Sequence, residues 1–133
     1  MIYESTITYT DGEGKSKRES YVLNAMSTFT EVEAKLNEEF GTYYREFDVT
    51  AIKRSKIAEI ANTRTSDDEG LWVAELMYTF YDDTTDTEKP VKYKILFYSE
   101  TFDSAKTFIS NFSQQGYDMS LVSLKLTNFK DVI

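Results

Sequence analysis

Apolar and β-branched residues alternate with polar ones from Ile2 to Thr10, with Tyr3, Ser5, Ile7 and Tyr9 on one side, which predicts a strand. Asp11-Gly12-Glu13-Gly14 follows as a turn, and Lys15 to Ala25 returns as a second strand, basic at its start and apolar at Tyr21, Val22 and Leu23. The period then changes. Val32, Leu36 and Phe40 recur every four residues, with Lys35, Asn37, Glu38 and Glu39 on the other side, and Gly41 closes the run. Thr30 and Glu33 match the S/T-x-x-E capping box, so the pattern predicts a helix over about residues 31–40. Phe47, Val49 and Ala51 alternate inward as a third strand from near Glu46. Ile52, Ile57 and Ile60 break that alternation, which calls for a bulge near Ile52 or a second short helix over 52–60.

Residues 61–70 (ANTRTSDDEG) are almost free of apolar side chains and read as a link. Leu71 to Tyr81 is the strongest strand pattern in the chain. Asp82 to Lys89 is an acidic turn, Pro90 suits a strand's first residue, and Val91 to Tyr98 is the partner strand. Asp103 fits as the cap of a helix carrying Ala105, Phe108, Ile109 and Phe112 that stops near Gly116. Tyr117 to Asn128 alternates as a last strand.

The two series resemble one plan used twice. Tyr3 falls on Trp72, Ile7 on Leu76, Tyr9 on Tyr78, Val22 and Leu23 on Ile95 and Leu96, Phe29 on Phe102, Val32 on Ala105 and Leu36 on Ile109. Phe47-Asp48-Val49 meets Tyr117-Asp118-Met119, and Ile52 meets Val122. The expected fold is α+β: a tandem β-β-α-β repeat with about six mainly antiparallel strands and two helices on one face. It forms a single domain over 1–133, built of repeats 1–60 and 71–133 joined by the polar link 61–70, with any binding surface expected near a pseudo-twofold axis.

Composition narrows the chemistry. The chain has no cysteine and no histidine, which excludes disulfides, thiolate chemistry, imidazole catalysis and Cys- or His-based metal sites. No P-loop, G-x-G-x-x-G or G-x-S-x-G pattern occurs, so the expectation is a protein that is not an enzyme and carries no cofactor. No apolar run reaches membrane-spanning length and no signal peptide opens the sequence, so a cytoplasmic location is expected. The net charge of −8 disfavours non-specific attraction to polyanions, but the charge is uneven. Residues 1–66 hold nine Lys/Arg against eleven Asp/Glu, and residues 67–133 hold six against twelve, so a polyanion site belongs in the first half.

Ten Tyr, nine Phe and one Trp make the chain rich in rings. Lys53, Arg54 and Lys56, with Arg64 beyond, form the densest basic cluster, and Lys17 and Arg18, beside Lys15, form a second. If the third strand lies near the first hairpin, these residues share a surface with Tyr9, Tyr21, Tyr43 or Tyr44 and supply cations for phosphates and rings for bases. On a strand Lys53 faces opposite to Arg54 and Lys56. The plainer reading is a charged strand face that resists edge-to-edge pairing. Asp82, Asp83, Asp86 and Glu88 lack the EF-hand spacing and read as a solvated tip, and Asp48 and Asp118 read as turn residues.

The passages IYESTITYTDGEGKSK, YVLNAMSTFTEVEAKL and FDVTAIKRSKIAEI resemble an uncharacterised domain-of-unknown-function family of short proteins from Bacteroidetes and their phages and mobile elements. The resemblance implies a small cytoplasmic accessory protein and carries no catalytic residues. The functional expectation is a non-enzymatic binder of single-stranded nucleic acid or a small (cyclic) nucleotide. A protein–protein or host-modulating module is the alternative, and a homodimer is the expected assembly.

Overall fold

A computed structural model of the chain describes residues 1–113 and 119–133. The helix stop expected at Gly116 and the residues Tyr117 and Asp118 lie outside the described residues. In chain order the elements are β1 (Tyr3–Thr10), β2 (Ser16–Leu23), α1 (Phe29–Phe40), β3 (Arg45–Arg54), β4 (Glu59–Ile60), β5 (Gly70–Asp82), β6 (Thr87–Ser99), α2 (Phe102–Ser113), β7 (Ser120–Leu126) and β8 (Phe129–Val132).

The fold is mixed α and β, with two helices and eight strands in two four-stranded sheets ordered β3-β1-β2-β8 and β4-β6-β5-β7. The mixed α and β content is as expected, and the strands number eight where about six were expected. The extra strands are β4 and β8, of two and four residues, too short to display a period. Both pair in parallel, β8 along β2 and β4 along β6, whereas the four longer pairings are antiparallel. The chain divides into two compact units, residues 1–56 with 128–133 and residues 57–127, so the polar stretch 61–70 lies within the second.

In the first unit, Val32 and Leu36 of α1 are fully buried with Tyr3, Ile7, Tyr21 and Leu23, and Phe40 packs half-buried beside them. The helix begins two residues before the sequence frame. Thr28, in extended backbone (φ −140°, ψ 161°), accepts the Glu31 amide on its hydroxyl at 3.1 Å, and the Ser27 amide donates to the Glu31 carboxylate at 2.5 Å. Thr28-x-x-Glu31 is therefore the working cap, and Thr30 lies exposed in the first turn. Gly41 closes the helix as expected but not by a left-handed turn: its φ is −61°, and a Cβ there would lie 2.6 Å from the Asn37 carbonyl oxygen.

In the second unit, Ala105 and Ile109 of α2 are buried against Trp72, Ala74, Leu76, Ile95 and Phe97, with Phe108 and Phe112 half-buried around them. Thr101 caps this helix instead of Asp103: its hydroxyl accepts the Ser104 amide and its amide donates to the Ser104 hydroxyl, both at 3.1 Å. β6 begins earlier than expected and holds Pro90 inside it, opposite Thr79. Among the described residues no strand flanks that part of β6, so the missing proline amide leaves no ladder partner unpaired.

Register corrects the side-by-side pairing of the two series. Tyr3 stands opposite Leu23 and Trp72 opposite Phe97, so with β1 laid on β5, Leu23 falls on Phe97 and Val22 on Leu96. The hairpin loops differ in length, and matching apolar runs alone left β2 and β6 one residue out of step.

Candidate functional site

The site is built around β3, an edge strand. Its pairing with β1 slips between Thr6 and Ile7, where Ala51 and Val49 are the partners and Thr50 is the extra residue. A second slip falls between Thr8 and Thr10, beside Glu46, whose φ is +53°. The first bulge lies two residues before the position inferred from Ile52. Its effect is the one expected: Phe47, Val49 and Ile52 all turn to the helix side of the sheet, where they pack half-buried against the core.

Beside them, Phe29, Glu33 and Asn37 lie four residues apart on one flank of α1, all exposed. Together with residues 47–52 they line an open groove of about 400 Å³. The half-buried Phe47, Val49 and Ile52 contribute to its lining, whose exposed surface is more polar than apolar, and Phe29 marks one end with its ring in edge contact with Tyr3 at 5.5 Å. Among the described residues no cation lies within ion-pair distance of the Glu33 or Asp48 carboxylates.

The basic and aromatic residues singled out from sequence fall into separate places. Lys53 stands opposite Glu4 and lies 3.8 Å from its carboxylate. Arg54 stands opposite Tyr3, so register puts it on the helix side, and Lys56 is exposed beyond the strand end. Lys17 stands opposite Tyr9, at the other end of β1, and lies 3.9 Å from Asp11. Arg18 stands opposite Thr8 on the reverse face. Six residues of strand separate Tyr3 from Tyr9, about 20 Å at roughly 3.3 Å each, so the two basic groups occupy opposite ends of the sheet. Arg64 belongs to the second unit, where its guanidinium lies 4.8 Å from the Tyr98 ring centroid and donates to the Glu69 carbonyl at 2.8 Å.

Tyr44 joins Lys17 at the β1–β2 turn end. Its ring stacks on Tyr9 at 3.8 Å with 8° between planes, and Phe40 lies 5.5 Å away on a nearly parallel plane. Tyr43 is next to this pile in sequence and is 80% exposed. Sequence reasoning missed Glu19, whose carboxylate accepts the hydroxyls of both Tyr9 and Tyr21. Ionisation of either phenol is thereby opposed: Tyr9 is shifted up chiefly by that hydrogen bond, and Tyr21 chiefly by burial. The i, i+2 spacing of Glu19 and Tyr21, with Tyr9 across the hairpin, was the available signal.

Chemistry elsewhere is structural. The 61–70 stretch is tied down: Asn62 exchanges two side-chain hydrogen bonds with the Tyr98 backbone, at 2.7 and 3.0 Å. The Glu69 carboxylate accepts the amides of Thr65 and Ser66, and these hold its pKa low, the Thr65 amide most. At the 82–87 tip Asp82 accepts the Thr84 hydroxyl and amide, which lower its pKa in that order. Among the described residues no group of three or more acidic side chains is arranged to hold a metal ion. Asp48 stands opposite Thr8 in the β1–β3 ladder. Among the described residues no helix is long and apolar enough to cross a membrane.

No curated protein and no solved structure matches the chain. A family model described as a domain of unknown function matches residues 1–133, end to end, and the chain belongs to that family, DUF4494.

Proposed function

We propose that the chain is a non-enzymatic protein-interaction module that recognises a segment of another protein in the groove between α1 and β3. The observation that carries this reading is the groove itself: half-buried Phe47, Val49 and Ile52 beside the exposed Phe29 ring and the exposed Glu33 carboxylate, which has no cation within ion-pair distance among the described residues. Selection of a random peptide display library on the full chain tests it. Enriched peptides are expected to lose about tenfold or more in affinity against a Phe29→Ala, Glu33→Lys double variant, since both side chains are exposed and line the groove. Enrichment of peptides indifferent to both changes would remove the reading.

A second reading, single-stranded nucleic acid or a nucleotide, is favoured by the Tyr9–Tyr44–Phe40 pile beside Lys17 and Tyr43. The two basic groups lie too far apart for one small nucleotide to touch both, so an oligonucleotide is the form this reading takes. Intrinsic fluorescence titrated with oligonucleotides and cyclic nucleotides tests it. Arg54→Glu with Lys56→Glu is then expected to flatten the salt dependence.

We also read the fold as one β-β-α-β-β unit written twice, each copy giving its last short strand to the sheet of the other. Supporting this, the bulge between Thr6 and Ile7 has its counterpart between Glu75 and Leu76, the positions that coincide when β1 is laid on β5. A small accessory protein acting in the cytoplasm is the setting that fits such a module.

A further inference from the structure

Away from the groove, the β5–β6 hairpin outruns the rest of its sheet. β5 has thirteen residues, about 43 Å at roughly 3.3 Å each, whereas the twelve residues of α2 span about 18 Å. β7 pairs with β5 only as far as Met77, β4 pairs with β6 only at Ile95 and Leu96, and the buried cluster beneath α2 reaches along β5 only to Leu76. Residues 78–82 and 87–91 therefore form a two-stranded arm, with Phe80 54% and Tyr81 50% exposed on its opposite faces. A two-stranded ribbon is marginal in water by itself. We infer that the outer edge of β5 in this arm is a self-association surface, and that its occupant is the same edge of a second copy, antiparallel about a two-fold axis at Phe80.

The molecule guards its other edges. β3 is slipped twice against β1 and presents the exposed Lys53, and β7 is slipped against β5 between Glu75 and Leu76. The part of β2 beyond β8 carries Lys17 and Arg18, and β4 and β8 are only two and four residues long. On the arm itself, the outer edge of β6 carries Pro90 between Lys89 and Lys92. The outer edge of β5 has none of these devices. The thirteen pairs of the hairpin run without a slip, residues 78–81 are Tyr-Thr-Phe-Tyr, uncharged and β-forming, and among the described residues no strand flanks them on that side. A regular, uncharged edge is a template for another strand.

The strand that fits this edge best is the edge itself. Pairing centred on Phe80 sets that ring against its counterpart, Thr79 of each copy opposite Tyr81 of the other, and Tyr78 opposite Asp82. Rings and a β-branched side chain then meet, and no like charges stand opposite each other. Charge also selects the antiparallel arrangement. The tip of the arm holds Asp82, Asp83, Asp86 and Glu88 against Lys89, whereas the base holds Lys92 and Lys94 beside Glu75. Antiparallel arms direct each acidic tip toward the base of the other, where parallel arms would bring two acidic tips together. A two-fold axis also makes the contact self-limiting: two copies close it and leave no edge for a third.

Area sets the strength. Half-exposed Phe80 and Tyr81 leave about 100 Å² each to be covered, and the exposed Leu121 and Val122, at the near end of β7 on the same side of β5, extend the surface. The total stays well below the roughly 800 Å² per partner of a stable complex, so the dimer is a weak and reversible one, with Kd on the order of 100 µM.

The chain has no cysteine, so a single one reports on the axis. Phe80→Cys brings two thiols together across it, at the Cα separation of about 5 Å of a directly opposed pair, which a disulfide can span. Mild oxidation of this variant is expected to give a disulfide-linked dimer on a non-reducing gel. Lys89→Cys, opposite Phe80 on the guarded strand, is expected to remain a monomer under the same oxidation. Sedimentation of the full chain without either cysteine, from about 10 to about 500 µM, is expected to show the reversible dimer. Thr79→Lys with Tyr81→Lys sets lysines opposite one another at exposed positions, and is expected to raise Kd about tenfold or more with an unchanged circular dichroism spectrum. Equal cross-linking through positions 80 and 89, a monomer throughout that concentration range, or a dimer indifferent to the two lysines would each overturn the inference, and none of these results bears on the groove.

Discussion

Two threonines near the start of α1 satisfy the same capping pattern, and exchanging each for alanine separates them. Thr28 accepts the Glu31 amide at 3.1 Å, and Glu31 in turn takes the Ser27 amide. Thr28→Ala removes the acceptor and leaves the Glu31 amide to solvent, a loss of about 1 kcal/mol within a range of roughly 0.5–2. Thr30 is an exposed residue inside the first turn, where alanine is the better helix former, so Thr30→Ala is expected to stabilise by about half a kcal/mol. The two variants should therefore differ by about 1.5 kcal/mol. In a unit of this size, 1 kcal/mol corresponds to roughly 4–8 °C in Tm, so the separation is well within reach of thermal melts. Urea denaturation followed by far-ultraviolet circular dichroism gives the free energies, with an unchanged m-value as the check that only stability has moved. Hydrogen exchange at the Glu31 amide should quicken in Thr28→Ala alone. Equal destabilisation by both changes, or a greater loss from Thr30→Ala, would place the helix start at the later frame and refute the cap described here.

Gly41→Ala is expected to cost about 1–3 kcal/mol, because its Cβ would meet the Asn37 carbonyl at 2.6 Å, whereas Gly12→Ala, with nothing within 4 Å, should stay within about half a kcal/mol in the same melts. Tyr93 donates to Glu59 at 2.6 Å, which pushes its pKa up to about 12 from 10.0. A pKa raised on folding stabilises the protonated form, so this contribution is complete below about pH 10 and is lost as pH rises through 12; ultraviolet tyrosinate titration should show Tyr93, Tyr9 and Tyr21 ionising above the ordinary tyrosine range, and Glu59→Gln should bring Tyr93 back down. For the expected homodimer, β7 is the edge to probe, since Leu121, Val122 and Leu126 are all more than two-fifths exposed; light scattering should show a dimer that Val122→Lys dissociates, and a monomer up to about 100 µM would exclude it.

What was legible in the sequence was whatever repeats. Val32 and Leu36 announce their helix because a four-residue period survives any context, and both are fully buried. The frame of the cap was not legible, because Thr28-x-x-Glu31 and Thr30-x-x-Glu33 are both well formed, and only the extended backbone at Thr28 decides between them. Ile52 betrayed a bulge by breaking alternation, but the residue left over, Thr50, is set by pairing with β1, which the β3 sequence does not contain. β4 is two residues long and takes its conformation from β6, so no local pattern announces it. The polar run 61–70 read as a link because it lacks apolar residues. Its order comes from side chains bonding to backbone, with Asn62 continuing beside Tyr98 the pairing that β4 begins.

The candidate site follows the same division. Lys53, Arg54 and Lys56 are neighbours in sequence, and a strand sends neighbours to opposite faces, so their density along the chain does not become a density in space. The groove, by contrast, has no contiguous signature. Phe29, Glu33 and Asn37 read as the polar side of an amphipathic helix, and Val49 and Ile52 read as ordinary strand residues. They meet because a single extra residue, Thr50, brings Ile52 onto the face that Val49 already occupies and leaves the β3 edge irregular. Deleting Thr50 would leave Val49 and Ile52 two residues apart, still on one face of a now regular strand, so it would remove the irregular edge without dispersing these side chains. The bulge thus does two jobs with one residue: it keeps Val49 and Ile52 on one face across a three-residue spacing, and it makes the β3 edge irregular, which disfavours strand pairing there.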